Sequence, residues 1–250
     1  MFTKAPKRCI IAWGVGMFIT LEGLDFSGKT TQAAMIAEHL EKRGKIVHSV
    51  REPGGTPISE RIRELLADKS NEITARAEAM LFAASRAQLT ETVIKPALRR
   101  REFVVSDRYF DSSIVYQGIV GGIDKLIAYE LNMLATDFTE PDLTFLLDIP
   151  AEGAAARVPF AYSRDRIESR GLEYFKKVRD GYLEVAKMFE RRYVIIDAGM
   201  SPERVFIEIR SYLDKRVDDY LRGIEPPQKP TRRTWRWRKT TIPKDLAKEL

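Results

Sequence analysis

One cysteine, Cys9, and two histidines, His39 and His48, are all the chain offers of those types in 250 residues. A lone thiol excludes an intramolecular disulfide and any metal centre built on several cysteines. The two histidines lack a ligand spacing and read as surface or strand-edge residues. Long apolar runs are missing as well. The longest near the start, residues 9–20, is interrupted by glycine and falls short of the roughly 20 residues that cross a bilayer. Lys4, Lys7 and Arg8 ahead of Ile10-Ile11-Ala12-Trp13 faintly resemble a signal peptide, but no small-residue cleavage site follows. Residues 1–16 are therefore expected to be an upstream extension, with Met17 the natural start. These absences point to a reducing cytoplasm and to no transmembrane segment.

Excess charge is also missing from most of the chain. The formal charge is +6, from 42 Lys+Arg against 36 Asp+Glu. Residues 222–250 hold nine basic and three acidic side chains, which is the whole excess. The basic balance, which would suggest a polyanion as partner, thus concerns only the end of the chain. There Pro226-Pro227-Gln228-Lys229-Pro230 reads as a linker. Trp235-Arg236-Trp237-Arg238-Lys239, if extended, sets both tryptophans on one side and the arginines on the other. That pattern suits single-stranded nucleic acid or anionic lipid; the plainer reading is a solvated extension.

What is present is a core: 44% hydrophobic residues against 31% charged excludes global disorder. Short Val/Ile/Leu-rich runs at Met17–Leu21, Ile46–Val50, Phe103–Ser106, Leu143–Leu147 and Tyr193–Ile196 read as strands. Helical patterns lie between them at Thr30–Arg43, Ser59–Ala67, Ala75–Arg101, Ser112–Thr136 (broken near Gly121-Gly122), Gly171–Phe189 and Pro202–Leu213. Strands each followed by a helix predict a doubly wound α/β domain with a parallel sheet of about five strands covered on both faces. It should span residues 17–215, with 216–250 a basic tail.

Gly23-Leu24-Asp25-Phe26-Ser27-Gly28-Lys29-Thr30 matches G-x-x-x-x-G-K-[ST] between a predicted strand and a predicted helix. The glycines let successive N–H groups face one anion, and the helix turns its positive end to the same place. Lys29 would reach the β- and γ-phosphates of a nucleotide, and the Thr30 hydroxyl would ligate Mg²⁺. Asp107, ending the predicted strand Phe103–Ser106, suits an approach to the same metal through water, a helix cap, or both. Transfer between two phosphates also needs guanidinium groups that grip phosphate oxygens two at a time.

Further blocks occur in order: Phe18-Ile19-Thr20-Leu21-Glu22-Gly23-Leu24-Asp25, Arg51-Glu52-Pro53-Gly54-Gly55-Thr56-Pro57, and Leu81-Phe82-Ala83-Ala84-Ser85-Arg86-Ala87-Gln88. Then come Asp107-Arg108-Tyr109, Ser112-Ser113, Tyr116-Gln117-Gly118, Pro141-Asp142-Leu143-Thr144 and Asp165-Arg166-Ile167-Glu168. Together they resemble the bacterial thymidylate kinases from about Phe18 to Leu213. The resemblance implies an ATP- and Mg²⁺-dependent kinase acting on dTMP, and a homodimer. Arg51 and Arg108 would hold the acceptor phosphate, with Pro53 beside them, and Asp25 would orient the acceptor. Phe82 would stack on thymine while Arg86 and Ser113 meet its edge, and Tyr116 and Gln117 would lie near sugar and base. A lid after the helix that follows the fourth strand would close over ATP and bring arginines to the transferring group. Arg164 is the leading candidate, with Arg157 and Arg166 as alternatives. Phe26 departs from the Gly of many bacterial relatives, so the loop carries no arginine of its own and the lid must supply one. Other nucleoside monophosphates, or a deoxynucleoside, remain alternative acceptors.

Overall fold

All six residues of β1 (Phe18–Gly23) are buried, and that is possible only for a strand flanked by neighbours on both edges and covered on both faces. In the computed structural model, which describes residues 16–157 and 168–222, β1 pairs in parallel with β3 (Phe103–Asp107) on one side and β4 (Leu143–Asp148) on the other. β2 (Val47–Arg51) and β5 (Tyr193–Asp197) close the edges, giving the order β2-β3-β1-β4-β5. The edge strands are only half-buried, consistent with their more mixed sequences. The expected five-stranded parallel sheet is therefore the observed one.

The order reverses direction at β1, and in such sheets the crevice beyond the carboxyl ends of the strands at that point receives ligands. Register makes the crevice specific. Asp107 lies opposite Leu21 on one side and Arg51 on the other, so the ends of β1, β2 and β3 are level. The residues that follow these three strands therefore emerge side by side at this crevice, the trough along the sheet's carboxyl edge.

The helices are α1 (Lys29–Lys42), α2 (Pro57–Ala67), α3 (Ala75–Leu89), α4 (Lys95–Arg99), α5 (Phe110–Ser113), α6 (Lys125–Thr136), α7 (Ala151–Ala156), α8 (Glu168–Met188) and α9 (Pro202–Leu221). Several differ from the sequence pattern for local reasons. α2 starts two residues before the expected Ser59, because Thr56 accepts the Ser59 N–H at 3.1 Å and Pro57 occupies the first turn, where a missing N–H costs nothing. The expected helix 75–101 is divided by a π-helical turn, Thr90–Ile94. The expected helix 112–136 is instead α5, a π-helical stretch Ile114–Val120, and α6, which Asp124 caps by accepting the Leu126 N–H at 2.8 Å. α8 contains a non-helical Gly171.

The largest departure is α9, expected to stop at Leu213 but running to Leu221. Val205, Ile209, Leu213 and Val217 are all buried, an i, i+4 series that carries one turn further than the expected stop. Burial of each such side chain contributes about 1.5–3 kcal/mol. The helix is also tied to α1: Arg43 reaches Asp214 at 2.7 Å and Asp218 at 2.6 Å, and His39 Nε2 lies 2.7 Å from Asp214. Residues 216–221 thus belong to the folded body. Among the described residues no helix is long and apolar enough to cross a membrane.

Candidate active site

The loop Gly23–Thr30 leaves β1 at the centre of the trough. Gly23 has φ +137°, and a Cβ there would stand 2.5 Å from the Leu147 carbonyl oxygen of β4, so only glycine lets the chain turn so close to its neighbour. Gly28, at φ +99° with open space around it, is needed for backbone conformation alone, immediately before α1. Phe26 also has positive φ, +64°, a conformation that costs a side-chain-bearing residue energy and that glycine adopts freely.

Lys29 is buried, and its ammonium donates to the Leu24 carbonyl at 2.6 Å, across the loop it belongs to. Burial lowers its pKa to about 8, with Arg108 adding to the shift and Asp25 and Asp107 opposing it. A polyanion entering the loop would favour the charged form and draw it outward. Thr30 donates to Asp107 Oδ2 at 2.5 Å, so the two residues expected at a metal already meet. Among the described residues no group of three or more His, Cys, Asp or Glu is arranged to hold a metal ion. One hydroxyl and one carboxylate beside a phosphate loop match a hard, largely hydrated ion such as Mg²⁺ whose remaining ligands are water and phosphate.

Arg108 follows β3 with its backbone at φ +72°. Its Nη2 donates to Asp25 Oδ1 at 2.6 Å, and its Nη1 to the Gly23 carbonyl at 3.1 Å. The arginine that should hold an acceptor phosphate is therefore joined directly to the loop that should hold the donor. The Tyr116 ring packs beneath its guanidinium, 5.3 Å away. Arg51, at the end of β2, pairs with Glu60 at 3.2 Å and stays half-exposed on the same edge. Pro53 follows Glu52 through a cis peptide bond.

Arg86 is no surface charge. It is 1% exposed, with Nε donating to Glu52 Oε2 at 2.6 Å, Nη1 to Ser113 Oγ at 3.0 Å and to Asn132 Oδ1, and Nη2 to the Tyr109 carbonyl at 3.3 Å. Phe82 lies one turn earlier on α3, half-buried. Arg86 and Ser113, each expected to meet the edge of the base, are hydrogen-bonded to one another. Gln117 donates to Glu78 at 2.8 Å, linking the π-helical stretch to α3. Arg157, just past α7, donates to the Ala198 carbonyl beyond β5 at 2.7 Å, on the side of β4 away from Arg51. Arg164 and Arg166 lie outside the described residues.

Five participants escaped the sequence reading: Glu22, Glu52, Ser112, Asn132 and Tyr182. Glu22 is wholly buried and takes the Tyr109 N–H at 2.8 Å and the Ser112 hydroxyl at 2.6 Å. Burial raises its carboxyl pKa to about 7, Asp111 adding to the shift and Arg108 opposing it. Glu52 is likewise raised to about 7 by burial, against the pull of Arg86. Both glutamates sit within the quoted blocks, and a carboxylate ending or following an apolar strand was the available signal. Nothing in local sequence marks Asn132 or Tyr182.

A phosphate loop opening a helix, an acid on the neighbouring strand and a second cluster of arginines over the same trough define a P-loop phosphotransferase fold. A family model for thymidylate kinase matches residues 21–209. The chain is 42% identical over 207 residues to the thymidylate kinase of Chlorobaculum tepidum, covering 79% of this chain and 97% of that protein. It is 45% identical over 201 residues to that of Thermosipho africanus, covering 80% and 99%. The crystal structure of thymidylate kinase from Ehrlichia chaffeensis aligns with a TM-score of 0.65 at 34% identity, over 80% of this chain and 99% of that one. The chain belongs to the thymidylate kinase family.

Proposed function

We propose that this chain transfers the γ-phosphoryl group of ATP to dTMP, giving dTDP and ADP in the cytoplasmic supply of dTTP. The observation that supports the residue assignment is the 2.6 Å contact between Arg108 and Asp25: an acceptor phosphate held by Arg108 would lie within one side-chain length of a donor held by the loop. Little acid–base chemistry is needed, because positioning and charge stabilisation supply most of the acceleration in phosphoryl transfer. Backbone N–H groups of Gly23–Thr30 and Lys29 hold the donor phosphates. Arg51 and Arg108 hold the acceptor phosphate, Asp25 orients the acceptor, and Pro53 shapes the turn beside them. Phe82 stacks on the base, Arg86 and Ser113 hydrogen-bond its edge, and Tyr116 and Gln117 border the sugar and base. Thr30, and Asp107 through water, would hold Mg²⁺, which would supply positive charge to the nucleotide's phosphates. A lid arginine, Arg164 ahead of Arg157 or Arg166, completes the charge on the transferring group.

The discriminating experiment is a coupled ADP-release assay with dTMP, dUMP, UMP, dCMP and thymidine. dTMP should lead every other acceptor, and a tenfold preference for another, about 1.4 kcal/mol of transition-state discrimination, would overturn the reading. We further propose a homodimer. Met80 on α3 and Leu126, Ile127 and Leu134 on the adjoining α6 are exposed by 60, 54, 58 and 74%, an apolar face of the kind that partners cover. A monomeric mass in solution would remove that proposal. For the basic tail, salt-dependent binding of oligonucleotides or anionic vesicles is the test, and its absence at low salt would leave a solvated extension.

A further inference from the structure

Arg108 donates through both terminal nitrogens, and the two face different surroundings. Nη2 points to Asp25, whose side chain is 60% exposed. Nη1 points inward, to Ser112 Oγ at 3.1 Å and to Tyr182 Oη at 2.6 Å. A guanidinium has no acceptor, so each hydroxyl that accepts from it must send its own proton elsewhere. Glu22 is where those protons go: its Oε2 lies 2.6 Å from Ser112 Oγ and 3.2 Å from Tyr182 Oη, while its Oε1 takes the Tyr109 N–H at 2.8 Å. The two hydroxyls are 2.9 Å apart. Two routes thus lead from Nη1 of Arg108, which also donates to the Gly23 carbonyl at 3.1 Å, through a hydroxyl to one carboxylate.

The cluster is fully inside the protein: Glu22 is 0% exposed, Tyr182 1% and Ser112 8%. Its members come from β1, α5 and the middle of α8, three elements fixed by the core. A buried, fully satisfied hydrogen-bond network holds its members in one arrangement, because any other leaves a polar group unpaired. Arg108 needs such support, since its backbone sits at positive φ, secured by its own N–H to the Leu21 carbonyl at 3.0 Å and by Ser106 Oγ donating to its carbonyl at 2.6 Å.

We propose that Glu22, Ser112 and Tyr182 form a polarised mount that fixes Nη1 of Arg108 so that Nη2 is presented to the acceptor phosphate, and that Tyr182 is a positioning residue for nucleoside-monophosphate binding. This rests on the assignment of Arg108 to the acceptor phosphate made above. The Tyr182 ring would survive replacement by Phe, because its edge-on packing against Tyr116, 6.1 Å between centroids, does not involve the hydroxyl.

The test is a double-mutant cycle read by calorimetric titration with dTMP and with ATP. Tyr182→Phe should weaken dTMP binding about tenfold and leave ATP binding within twofold, with Ser112→Ala moving in the same direction. In an Arg108→Met background Tyr182→Phe should change dTMP binding no further. If Tyr182→Phe and Ser112→Ala both leave dTMP affinity within twofold of wild type while Arg108→Met weakens it strongly, the mount is wrong and the Arg108 assignment stands. An equal effect of Tyr182→Phe with and without Arg108 overturns the mount in another way, by placing Tyr182 on a different route. If Arg108→Met leaves dTMP affinity unchanged, the assignment falls and the inference falls with it.

Discussion

Two arginines of this site are held by carboxylates in opposite ways. Arg86 and Glu52 each have side chains only 2% exposed, and the guanidinium is shared among Glu52, Ser113, Asn132 and a backbone carbonyl. Arg108 has a 15% exposed side chain, and its partner Asp25 is 60% exposed. The first pair is part of the core and cannot separate without stranding a buried charge. The second is closed beneath and open above, so Arg108 can exchange Asp25 for a phosphate. On the roles proposed above, an arginine that reads the edge of a planar base gains from immobility, whereas one that takes up an acceptor phosphate must be able to change partner.

Substituting the two arginines separates these designs. Arg108→Ala should cut kcat by orders of magnitude, as should Lys29→Ala, while circular dichroism shows the fold intact. Arg86→Lys should do the reverse in emphasis. Lys keeps the charge but has no planar fork, so some of Glu52, Ser113, Asn132 and the Tyr109 carbonyl lose their partner and stability falls by about 1–3 kcal/mol, the usual cost of leaving buried polar groups unpaired. Its surviving activity should discriminate poorly between dTMP and dCMP. Equal destabilisation by both substitutions would break the comparison.

A smaller effect follows from the pH dependence of Glu52. Burial lifts its folded-state pKa from 4.5 to about 7, so the folded protein binds a proton more tightly than the unfolded chain. The resulting stability is present in full below about pH 4.5 and is lost as pH rises to about 7, with a slope of at most about 1.4 kcal/mol per pH unit. Urea titrations of Glu52→Gln between pH 5 and 8 should show a shallower decline than wild type. An identical slope would mean that Arg86 keeps Glu52 ionised throughout, and the core pair would then be a permanent salt bridge.

The contrast between the arginines also marks what sequence can convey. The sheet and the phosphate loop were legible because apolar runs and the Gly23–Thr30 spacing are local signals, and Thr30 and Asp107 stand at predictable strand and loop ends. Phe82, Arg86 and Ser113 were found through the family resemblance. The supports of those residues were not found, since Asn132 lies 46 positions from Arg86 and Tyr182 lies 74 from Arg108. Such contacts depend on how α6 and α8 pack, which no window of sequence contains. The end of α9 was misread for a different reason: its last buried residue, Val217, stands among charged neighbours that hide the period.

Asp25 gives the smallest expected effect. Asp25→Asn keeps an oxygen that can accept from Arg108 and from an acceptor hydroxyl while removing the charge. Because Asp25 is mostly solvent-exposed, water and salt already weaken its attraction to Arg108, and such pairs contribute about 0–1 kcal/mol. Stability measured by urea should therefore change by less than about 1 kcal/mol, and the change should shrink further in high salt. The underside of Arg108, held by Tyr182, Ser112 and Gly23, keeps the guanidinium in place when Asp25 no longer attracts it. A loss as large as that of Arg86→Lys would mean that the Asp25 contact is structural, and Arg108 would then have no partner it is free to exchange.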